Sequence, residues 1–410
     1  MSVKLFDADS HQQVFEGTVV SCEWDEKRKA YGVILDQTAF FAEGGGQMAD
    51  GGKLFVQREE GELTLNVEHV AEKGEDAVHY VTEALEAGTK VRGEIDWEAR
   101  FDRMQQHSGE HIYSGLVYRA KGYHNVGFHL GDAVTRLDFD GPLSEEEIRA
   151  FEEEANRLIA QNLPVRVVYP EKAVLDEMDY RSKKELSGAV RIVLIGEEGA
   201  EVDCCACCAP HVKTTGEIGL LKIIHAENYK GGVRLLMVCG SRALADYQKK
   251  QETLGNLAQS MSTSEDKVAA SVAKLTEERN KLAEKTVQLS KELIRFRAEE
   301  LLSHASISTK TGGRVLIWSE ELLDQKATRE LVNLLVEKTR GEANTVIAAM
   351  MPGADGSAFL LAASGNVNMK TLGDQLRKEK GFKGGGSPAM IQGTIYISNS
   401  ELSASLADFL

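Results

Sequence analysis

The sequence predicts an α+β protein of two to four domains, because β-type and helical stretches alternate along 410 residues. Short Val-, Ile- and aromatic-rich stretches such as Val14–Trp24 and Ala30–Leu35 fill the first hundred residues, a pattern typical of a small barrel. A long helical stretch follows residue 240. The predicted domains are a β-barrel at 1–95, an α/β domain at 96–240, a helical or coiled-coil hairpin at 241–305 and a C-terminal α/β domain at 306–410.

Composition narrows the class of protein. Hydrophobic residues make up 42% of the chain and charged residues 27%, as in ordinary globular proteins. We find no secretory start and no apolar stretch of the roughly 20 residues that a membrane helix needs. Clustered cysteines beside a histidine favour a reducing compartment, so we expect a cytoplasmic protein without a membrane partner. The net charge of −16 argues against nonspecific nucleic-acid binding but leaves room for a local basic patch.

Two histidines four residues apart stand out in the predicted helix Phe101–Tyr118. His107 and His111 would lie on one face of that helix, where both imidazoles can reach one metal ion. Histidines at this spacing also line apolar cores. The pair is therefore a candidate metal half-site that needs a second half.

A second cluster of metal-binding residue types follows a hundred residues later. Cys207 and His211 are again four apart, and thiolate and imidazole are the ligands that zinc prefers. Three further cysteines lie beside them, at Cys204, Cys205 and Cys208, so spacing alone leaves the ligating cysteine open. Together the two clusters predict one Zn²⁺ per chain.

A glycine triplet lies between predicted strands of the first domain. Gly44, Gly45 and Gly46 permit positive φ and close approach of a ligand to the backbone. Thr38, Glu43 and Gln47 flank the triplet and could orient a small substrate. A bare glycine triplet would indicate only a flexible turn, but these polar flanking residues favour a substrate-binding turn.

The helical stretch after residue 240 carries apolar residues at spacings of four and three. They are Val268, Val272, Leu275, Leu282, Leu289, Leu293 and Phe296. The seam is consistent with a rigid spacer, a homodimer contact or both.

The chain ends with a basic cluster beside a second glycine run. Arg377, Lys378, Lys380 and Lys383 precede the run Gly384, Gly385 and Gly386. Such a cluster is usually a solvated helix end, but beside glycines it can also hold a phosphate backbone.

Taken in order, these stretches resemble one family. The glycine-rich Leu35–Gly52 segment, the Arg100–Ile112 helix and Cys207–His211 with Thr215–Gly219 resemble the editing domain of alanyl-tRNA synthetases. Lys383–Gln392 resembles their C-terminal DHHA1 domain. Because the chain begins at the editing part, the sequence is similar to the freestanding alanyl-tRNA editing proteins of the long AlaX type, which deacylate mischarged tRNA in trans.

The resemblance implies the site residues. It makes His107, His111, Cys207 and His211 the zinc ligands, and it places Gln47, Gly44–Gly46 and Thr38 at the amino-acid pocket, with Gln47 and Cys207 as catalytic residues. It also implies that the DHHA1-like end binds tRNA. Cys208-Ala209-Pro210 stands where the family commonly has glycines and a threonine, which keeps the other cysteines in question as ligands.

The implied substrate is tRNA(Ala) mischarged with serine or glycine. Zinc with an open position lowers the pKa of bound water to about 7, and Thr38 or Gln47 would read the serine hydroxyl. Two alternatives stay open. His107-Ser108-Gly109-Glu110-His111 also matches the H-x-x-E-H motif of inverted zincin peptidases, with Glu110 as base. The chain could instead be a noncatalytic tRNA-binding protein with a structural zinc.

Overall fold

The computed structural model describes residues 2–182, 189–303, 307–309, 312–342, 344–351 and 357–410. The chain forms two compact units, Met1–Asn256 and Leu257–Leu410. Both contain sheets and helices, which confirms the predicted α+β class. None of the described helices is long and apolar enough to cross a bilayer. The finer division into four domains stays a prediction, and its boundary at 305–306 lies outside the described residues.

The N-terminal unit begins with nine strands. They are β1 (Val3–Lys4), β2 (Val14–Asp25), β3 (Ala30–Leu35), β4 (Gln37–Thr38), β5 (Gly52–Arg58), β6 (Gly61–Val67), β7 (His69–Lys73), β8 (Asp76–Val81) and β9 (Lys90–Ile95). Strands β1 and β4 form a parallel pair. The other seven form an antiparallel sheet in the order β6-β5-β9-β2-β3-β8-β7.

The strands that were predicted to form a small barrel form an open sheet instead. Strand β2 pairs with β9 through its first half and with β3 through its second half, and its register shifts between Val19 and Ser21. The ladder of described pairs ends at β6 and β7, yet β6 packs against β8. The sheet therefore folds back on itself about β2 and encloses one apolar core, which includes Val33, Leu54 and Phe40.

The rest of the N-terminal unit surrounds one long helix. Its elements are α1 (Trp97–Lys121), β10 (Asn125–Leu130), β11 (Thr135–Phe139), α2 (Glu145–Ala160), β12 (Val165–Val168), α3 (Lys172–Leu175), β13 (Ile192–Glu197), β14 (Ala200–Ala206), β15 (Leu221–Tyr229), β16 (Gly232–Cys239) and α4 (Gly240–Ser260). The strands form two antiparallel sheets, β10-β11-β16-β15 and β12-β13-β14. Helix α1 packs against α2, β10, β14 and β16.

Helix α2 begins with a capping box at Ser144. The Ser144 hydroxyl accepts from the Glu147 backbone N–H, and the Glu147 carboxylate accepts from the Ser144 N–H. Both bonds satisfy donors that a helix start leaves unpaired. Helix α2 consequently begins at Glu145.

The C-terminal unit contains a long helix and a six-stranded sheet. Its elements are α5 (Val268–Ser303), β17 (Ile307–Ser308), β18 (Arg314–Ser319), α6 (Gln325–Lys338), β19 (Thr345–Met351), β20 (Ser357–Ser364), α7 (Met369–Lys380), β21 (Lys383–Gly386), β22 (Met390–Ile395) and α8 (Asn399–Phe409). The sheet order is β17-β18-β19-β20-β22-β21, with β21 at one edge. Helix α5 packs against α6 near its C-terminal end, through Ile294 and Ala298.

Most of the heptad-like seam on α5 is exposed. Only Val268 is buried, and Leu293 packs partly against the core of its unit. The exposed members are Val272, Leu275, Leu282, Leu289 and Phe296. The helical prediction is confirmed for this stretch, whereas the homodimer stays a prediction.

Candidate metal centre

Helix α1 is buried in its middle and capped at both ends. Asp96 accepts from the Ala99 N–H at its start, and Gly122 closes its end in the left-handed conformation. Every residue from 104 to 115 is buried. Gly109 permits this because a Cβ there would lie 2.4 Å from the Cys239 Sγ. The histidine pair is thus carried by a rigid element.

The Cys207 segment reaches α1 from the end of β14. Its backbone is fixed by Arg191, whose Nη1 donates to the carbonyl oxygens of Cys207 and Ala209 at 2.7 and 2.9 Å. The Cys207 N–H donates in turn to the Arg191 carbonyl at 3.2 Å. These bonds hold a segment without regular secondary structure next to the histidine pair.

The four predicted ligands come together. One ligand atom from each of His107, His111, Cys207 and His211 lies within 4.8 Å of the other three. The Cys207 Sγ is 3.6 Å from His107 Nε2 and 3.5 Å from His211 Nε2. Tetrahedral zinc with ordinary bond lengths requires a nitrogen–sulfur separation of about 3.6 Å. The donor set and its spacing therefore fit a zinc ion.

Each imidazole is oriented by a hydrogen bond at its other nitrogen. The partners of the Nδ1 atoms are Gln47 Oε1 for His107 at 2.8 Å, Asp203 Oδ2 for His111 at 3.0 Å and Ser108 Oγ for His211 at 3.0 Å. Such bonds fix the tautomer and turn the Nε2 lone pairs toward a common point. This arrangement is typical of metal-ligating histidines.

Asp203 is itself held by Arg181. The Arg181 Nε and Nη2 donate to the two carboxylate oxygens at 2.7 and 2.9 Å. Burial would raise the pKa of Asp203, but the Arg181 charge and the bond from His111 hold it below its usual value. Burial would likewise lower the pKa of His111, yet its bond to Asp203 raises it to about 9. Asp203 therefore increases the basicity of one candidate ligand.

The four neighbouring thiols differ in acidity. Burial raises the pKa of Cys204 to about 11, and it also raises the pKa of Cys205 and Cys208. Burial opposes ionisation of Cys207 too, but the charge and hydrogen bond of His107 hold its pKa well below the usual range. A thiolate is the form that binds metal. The environment therefore favours Cys207 as the ligating sulfur.

The glycine triplet forms a tight turn that presents Gln47 to the cluster. Gly44 and Gln47 exchange backbone hydrogen bonds at 3.0 and 3.1 Å, and the intervening Gly45 and Gly46 have φ of +62° and +86°. Two positive φ values in a two-residue turn favour glycine. A Cβ on Gly46 would also lie 2.6 Å from the Phe128 ring. The turn therefore has both a conformational and a steric need for glycine.

Gln47 keeps one unused donor beside the cluster. Its side chain is 1% exposed, and its Oε1 accepts from His107. Its Nε2 has no hydrogen-bond partner within the part of the chain that the structure describes. A buried donor left unpaired costs about 1–3 kcal/mol, so this atom is positioned to bind an acceptor that enters the site.

Thr38 lies in the core of the N-terminal sheet. Its hydroxyl hydrogen-bonds His79 Nε2 at 2.8 Å and accepts from the Phe40 N–H at 3.0 Å. Burial lowers the pKa of His79 to about 4, so the imidazole is neutral and can accept. The Thr38 hydroxyl is fully used in the structure, and its contact with substrate stays a prediction.

Glu110 lies between the two histidines but outside the four-ligand cluster. It is buried, and its Oε1 accepts from Ser114 at 2.7 Å and Asn125 at 2.6 Å. Its Oε2 is 3.9 Å from His111 Nε2. The carboxylate thus borders the site, with one of its oxygens bound to donors on α1 and β10.

The C-terminal basic cluster is exposed in the second unit. Arg377, Lys378 and Lys380 lie in the last turn of α7, and Lys383 begins the edge strand β21. Arg377 bonds Asp374 at 2.6 Å and the Gly384 carbonyl at 3.0 Å. A Cβ on Gly384 or Gly386 would lie 2.2 Å from a carbonyl oxygen of β22. These two glycines are required for close strand pairing, while Gly385 faces open space.

Sequence reasoning missed the residues that orient the ligands. Ser108, Asp203 and Arg181 were not among the predicted site residues, although each contacts a ligand or its partner. Asp203 carried one usable signal, since it is a carboxylate immediately before the cysteines, between Val202 and Cys204.

The chain is similar in sequence to known proteins, both in two segments and along its length. Residues 12–99 match a family described as class II (A) tRNA synthetases, and residues 190–236 match the second additional domain of threonyl and alanyl tRNA synthetases. The alaX protein of Saccharomyces cerevisiae, assigned to alanyl-tRNA editing, is 28% identical over 97% of this chain and 93% of its own length. The alanyl-tRNA editing protein Aarsd1 of Rattus norvegicus is 26% identical over 99% and 98%.

The chain is similar to alanyl-tRNA editing proteins along nearly the whole length of both chains. This similarity confirms the resemblance inferred from the motifs. The alanine–tRNA ligase of Pyrococcus furiosus is 34% identical over 66% of this chain, which spans only 30% of that ligase. The similarity therefore extends over nearly the full length of the editing proteins and over only a part of the ligase.

Proposed function

We propose that the protein hydrolyses the ester bond of tRNA(Ala) mischarged with serine or glycine, acting in trans and without aminoacylation. The observation that carries the proposal is the four-ligand cluster, with the free Gln47 amide donor beside it. Similarity to alanyl-tRNA editing proteins along nearly the whole chain supports the substrate. We further propose a cytoplasmic location.

The cluster would hold one zinc ion per chain through His107, His111, Cys207 and His211. When bound, zinc supplies a Lewis acid that polarises an ester carbonyl or anchors an amino group. The chain contributes the orientation of every ligand, through Gln47, Ser108 and Asp203. Cys207 takes part as the anionic ligand.

Gln47 would bind the substrate carbonyl. Its Oε1 is committed to His107, so its Nε2 is the atom free to donate to the oxygen of the aminoacyl ester. A preorganised donor of this kind stabilises the negative charge that develops on that oxygen as water attacks the carbonyl carbon. The bond to the terminal ribose then breaks and releases the amino acid and the tRNA.

Selectivity against Ala-tRNA would come from reading the serine hydroxyl. A site built to hydrogen-bond a hydroxyl rejects an analogue without it by about 10⁴–10⁵. Gln47 and Thr38 are the proposed readers. For Thr38 this requires the hydroxyl to exchange its bond with His79 for one to the substrate.

Thr38→Val tests that role. Valine keeps the shape but leaves His79 and the Phe40 N–H without their partner, so we expect a loss of about 1–3 kcal/mol in the free energy of unfolding. We also expect Ser-tRNA(Ala) hydrolysis to fall about tenfold more than Gly-tRNA(Ala) hydrolysis, because only serine loses a hydrogen bond. Single-turnover rates on both substrates measure the difference. Equal losses would make Thr38 a structural residue only.

Glu110→Gln separates editing from the peptidase alternative. Glutamine can still accept from Ser114 and Asn125 through its oxygen, so we expect deacylation within about tenfold of wild type, or about 1.4 kcal/mol in barrier. In an inverted zincin the same change removes the general base. A fall of several orders of magnitude with the metal retained would favour peptidase-type chemistry, and casein-type peptide substrates would then be hydrolysed by the wild type.

We propose that the C-terminal unit supplies tRNA affinity through Arg377, Lys378, Lys380, Lys383 and Gly384–Gly386. Lys378→Glu/Lys383→Glu in the full chain should weaken tRNA binding and reduce the slope of log affinity against log salt by about 1 to 2. Lys326→Glu/Lys370→Glu is the matched control, because it changes the net charge equally at exposed helix starts of the same unit. Identical binding by the two double variants would remove the basic cluster from the interface and leave homodimerisation as the role of this unit.

The experiment that tests the proposed function is deacylation of three purified substrates. We expect rapid hydrolysis of Ser-tRNA(Ala), measurable hydrolysis of Gly-tRNA(Ala) and survival of Ala-tRNA(Ala). Hydrolysis of none of the three, together with tRNA binding, would identify a noncatalytic protein with a structural metal.

A further inference from the structure

Residues 5–11 form a strap between strands β1 and β2 that reaches the cysteine segment of the candidate metal centre. The strap begins with a single 3-10 turn, Leu5–Asp7, and the chain continues without a helix or strand to the start of β2 at Val14. None of the residues in the strap has a role in the proposed reaction. Its side chains nevertheless contact the segment that carries Cys207 and His211.

Phe6 packs the strap against that segment. It is 4% exposed, and its ring lies against Phe41, with ring centroids 5.6 Å apart. Both rings belong to one apolar cluster with Ala209 and Cys207. Two polar contacts follow further along the strap, and they are Asp9 with Lys213 at 2.9 Å and His11 with Glu217 at 3.0 Å. The strap is therefore fixed to the chain on both sides of His211.

The carboxylate of Asp7, in the same strap, faces the guanidinium of Arg191. Asp7 Oδ1 lies 2.9 Å from Arg191 Nε, and Asp7 Oδ2 accepts from the Tyr169 hydroxyl at 3.1 Å. Arg191 is buried, and among the residues that the structure describes Asp7 supplies the carboxylate at ion-pair distance from it. Because a buried charge is costly unless it is paired, Asp7 stabilises the guanidinium in this position.

The other end of the same guanidinium holds the backbone of a candidate ligand. Arg191 Nη1 donates to the carbonyl oxygens of Cys207 and Ala209 at 2.7 and 2.9 Å. A guanidinium is planar and its donors have fixed directions, so the position of its Nε edge determines where Nη1 points. Asp7 therefore acts on the Cys207 backbone through one rigid group.

Cys207 needs this backbone support more than the histidine ligands do. Each imidazole is oriented by a hydrogen bond at its Nδ1 atom, while its Nε2 atom stays free for a metal ion. A thiolate has no second ring atom through which a partner could orient it. The direction of the Cys207 sulfur is consequently set by the position of its own backbone, which lies outside the regular strands.

We propose that Asp7 is a positioning residue for the metal centre, and that it acts through Arg191 to hold the Cys207 backbone in the ligand cluster. The inference rests on the ligand set of the proposed function. A site whose supporting residues are fixed in advance binds its ligand with a smaller ordering cost. The strap thus preorganises the thiolate side of the cluster, as Asp203 and Gln47 do for two of the imidazoles.

The zinc affinity of the full-length protein, measured by competition with a chromophoric chelator, tests the proposal. We expect Asp7→Ala to weaken zinc binding about tenfold or more, since loss of an outer partner of a ligand costs roughly 10–100-fold. Asp9→Ala is the matched control, because it removes a carboxylate from the same strap and breaks a half-exposed pair with Lys213. Such surface pairs contribute little, so its zinc affinity should stay within about twofold of wild type.

Two further readouts separate positioning from a general loss of stability. Asp7→Ala/Arg191→Met should bind zinc no more weakly than Arg191→Met, because two residues that act through one route are not additive. With Co²⁺ in place of zinc, Asp7→Ala should alter the visible absorption bands, which depend on ligand geometry, and Asp9→Ala should leave them as in the wild type. If Asp7→Ala does not fold, Asp7→Asn keeps the shape and should give the same spectral change with a smaller loss of affinity.

Unchanged zinc affinity and cobalt absorption in whichever Asp7 variant folds would overturn the proposal, as would additive losses in the double variant. Deacylation by the wild type tests the proposed function separately. Zinc binding that depends on Asp7, without hydrolysis of Ser-tRNA(Ala), would contradict the proposed function and leave the positioning role standing. Hydrolysis by the wild type, together with a zinc affinity that is indifferent to Asp7, would contradict the positioning role alone.

Discussion

Cys207→Ala should abolish zinc binding, whereas Cys204→Ala and Cys205→Ala should retain one zinc per chain. Cys207 is the thiol whose pKa is held low, and its Sγ lies 3.5–3.6 Å from two imidazole nitrogens. We expect its loss to cost more than the roughly 10–100-fold in metal affinity that follows removal of an outer partner of a ligand. Metal analysis of the purified variants measures the occupancy.

Cys208→Ala provides the most stringent control. Cys208 is adjacent to Cys207 in sequence, and desolvation raises the pKa of its thiol. Full zinc occupancy in Cys207→Ala would show that the ligand assignment is wrong. Loss of zinc in Cys208→Ala alone would transfer the assignment to that residue.

Arg100→Met should produce the largest loss of stability among single changes outside the ligands. Arg100 and Asp50 form an ion pair in which both side chains are fully buried. Arg100 also donates to the carbonyls of Ala39 and Ser10, and Asp50 accepts from the Phe41 N–H. Without Arg100 the buried Asp50 carboxylate keeps only Arg103 Nη1, 3.7 Å from its Oδ1, as a cationic neighbour. Breaking a buried pair in this way costs about 3–5 kcal/mol, which is the loss we expect.

The pair also links the two parts of the site. Asp50 lies three residues after Gln47, and Arg100 lies two turns before His107 on α1. Arg92→Met is the control, since Arg92 is half-exposed and pairs with surface glutamates, where pairs contribute about 0–1 kcal/mol. Urea unfolding of both variants measures the losses. Equal small losses would show that the buried pair does not hold the glycine turn on α1.

Local signals in the sequence were sufficient to predict the helix that carries the histidine pair. The four-residue spacing of His107 and His111 is satisfied within one helix turn, so sequence neighbours define it. The convergence of Cys207 and His211 on that helix required chemical reasoning about ligand type. It could be predicted because Zn²⁺ usually binds four ligands, so two pairs of zinc-preferring side chains can complete one site.

Contacts between residues that are distant in sequence could not be predicted in this way. Asp203 reaches His111 across 92 residues and Asp50 reaches Arg100 across 50, and only the strand order brings them together. The open form of the N-terminal sheet could not be predicted for the same reason. Strand β2 changes partners at a register shift, and the hydrophobic pattern of the sequence does not reveal that shift. Similarly, Gly384 and Gly386 are required for the close pairing of β21 with β22, so the glycine run does not by itself indicate a bound ligand.

Removal and return of the metal tests the central claim most directly. The full-length protein is stripped with a chelator, and single-turnover hydrolysis of Ser-tRNA(Ala) is measured before stripping, after it and after titration with Zn²⁺. We predict that hydrolysis is lost on stripping and recovers fully at one equivalent of Zn²⁺ per chain, while Ala-tRNA(Ala) survives throughout. Undiminished hydrolysis of Ser-tRNA(Ala) by the stripped protein would contradict the account.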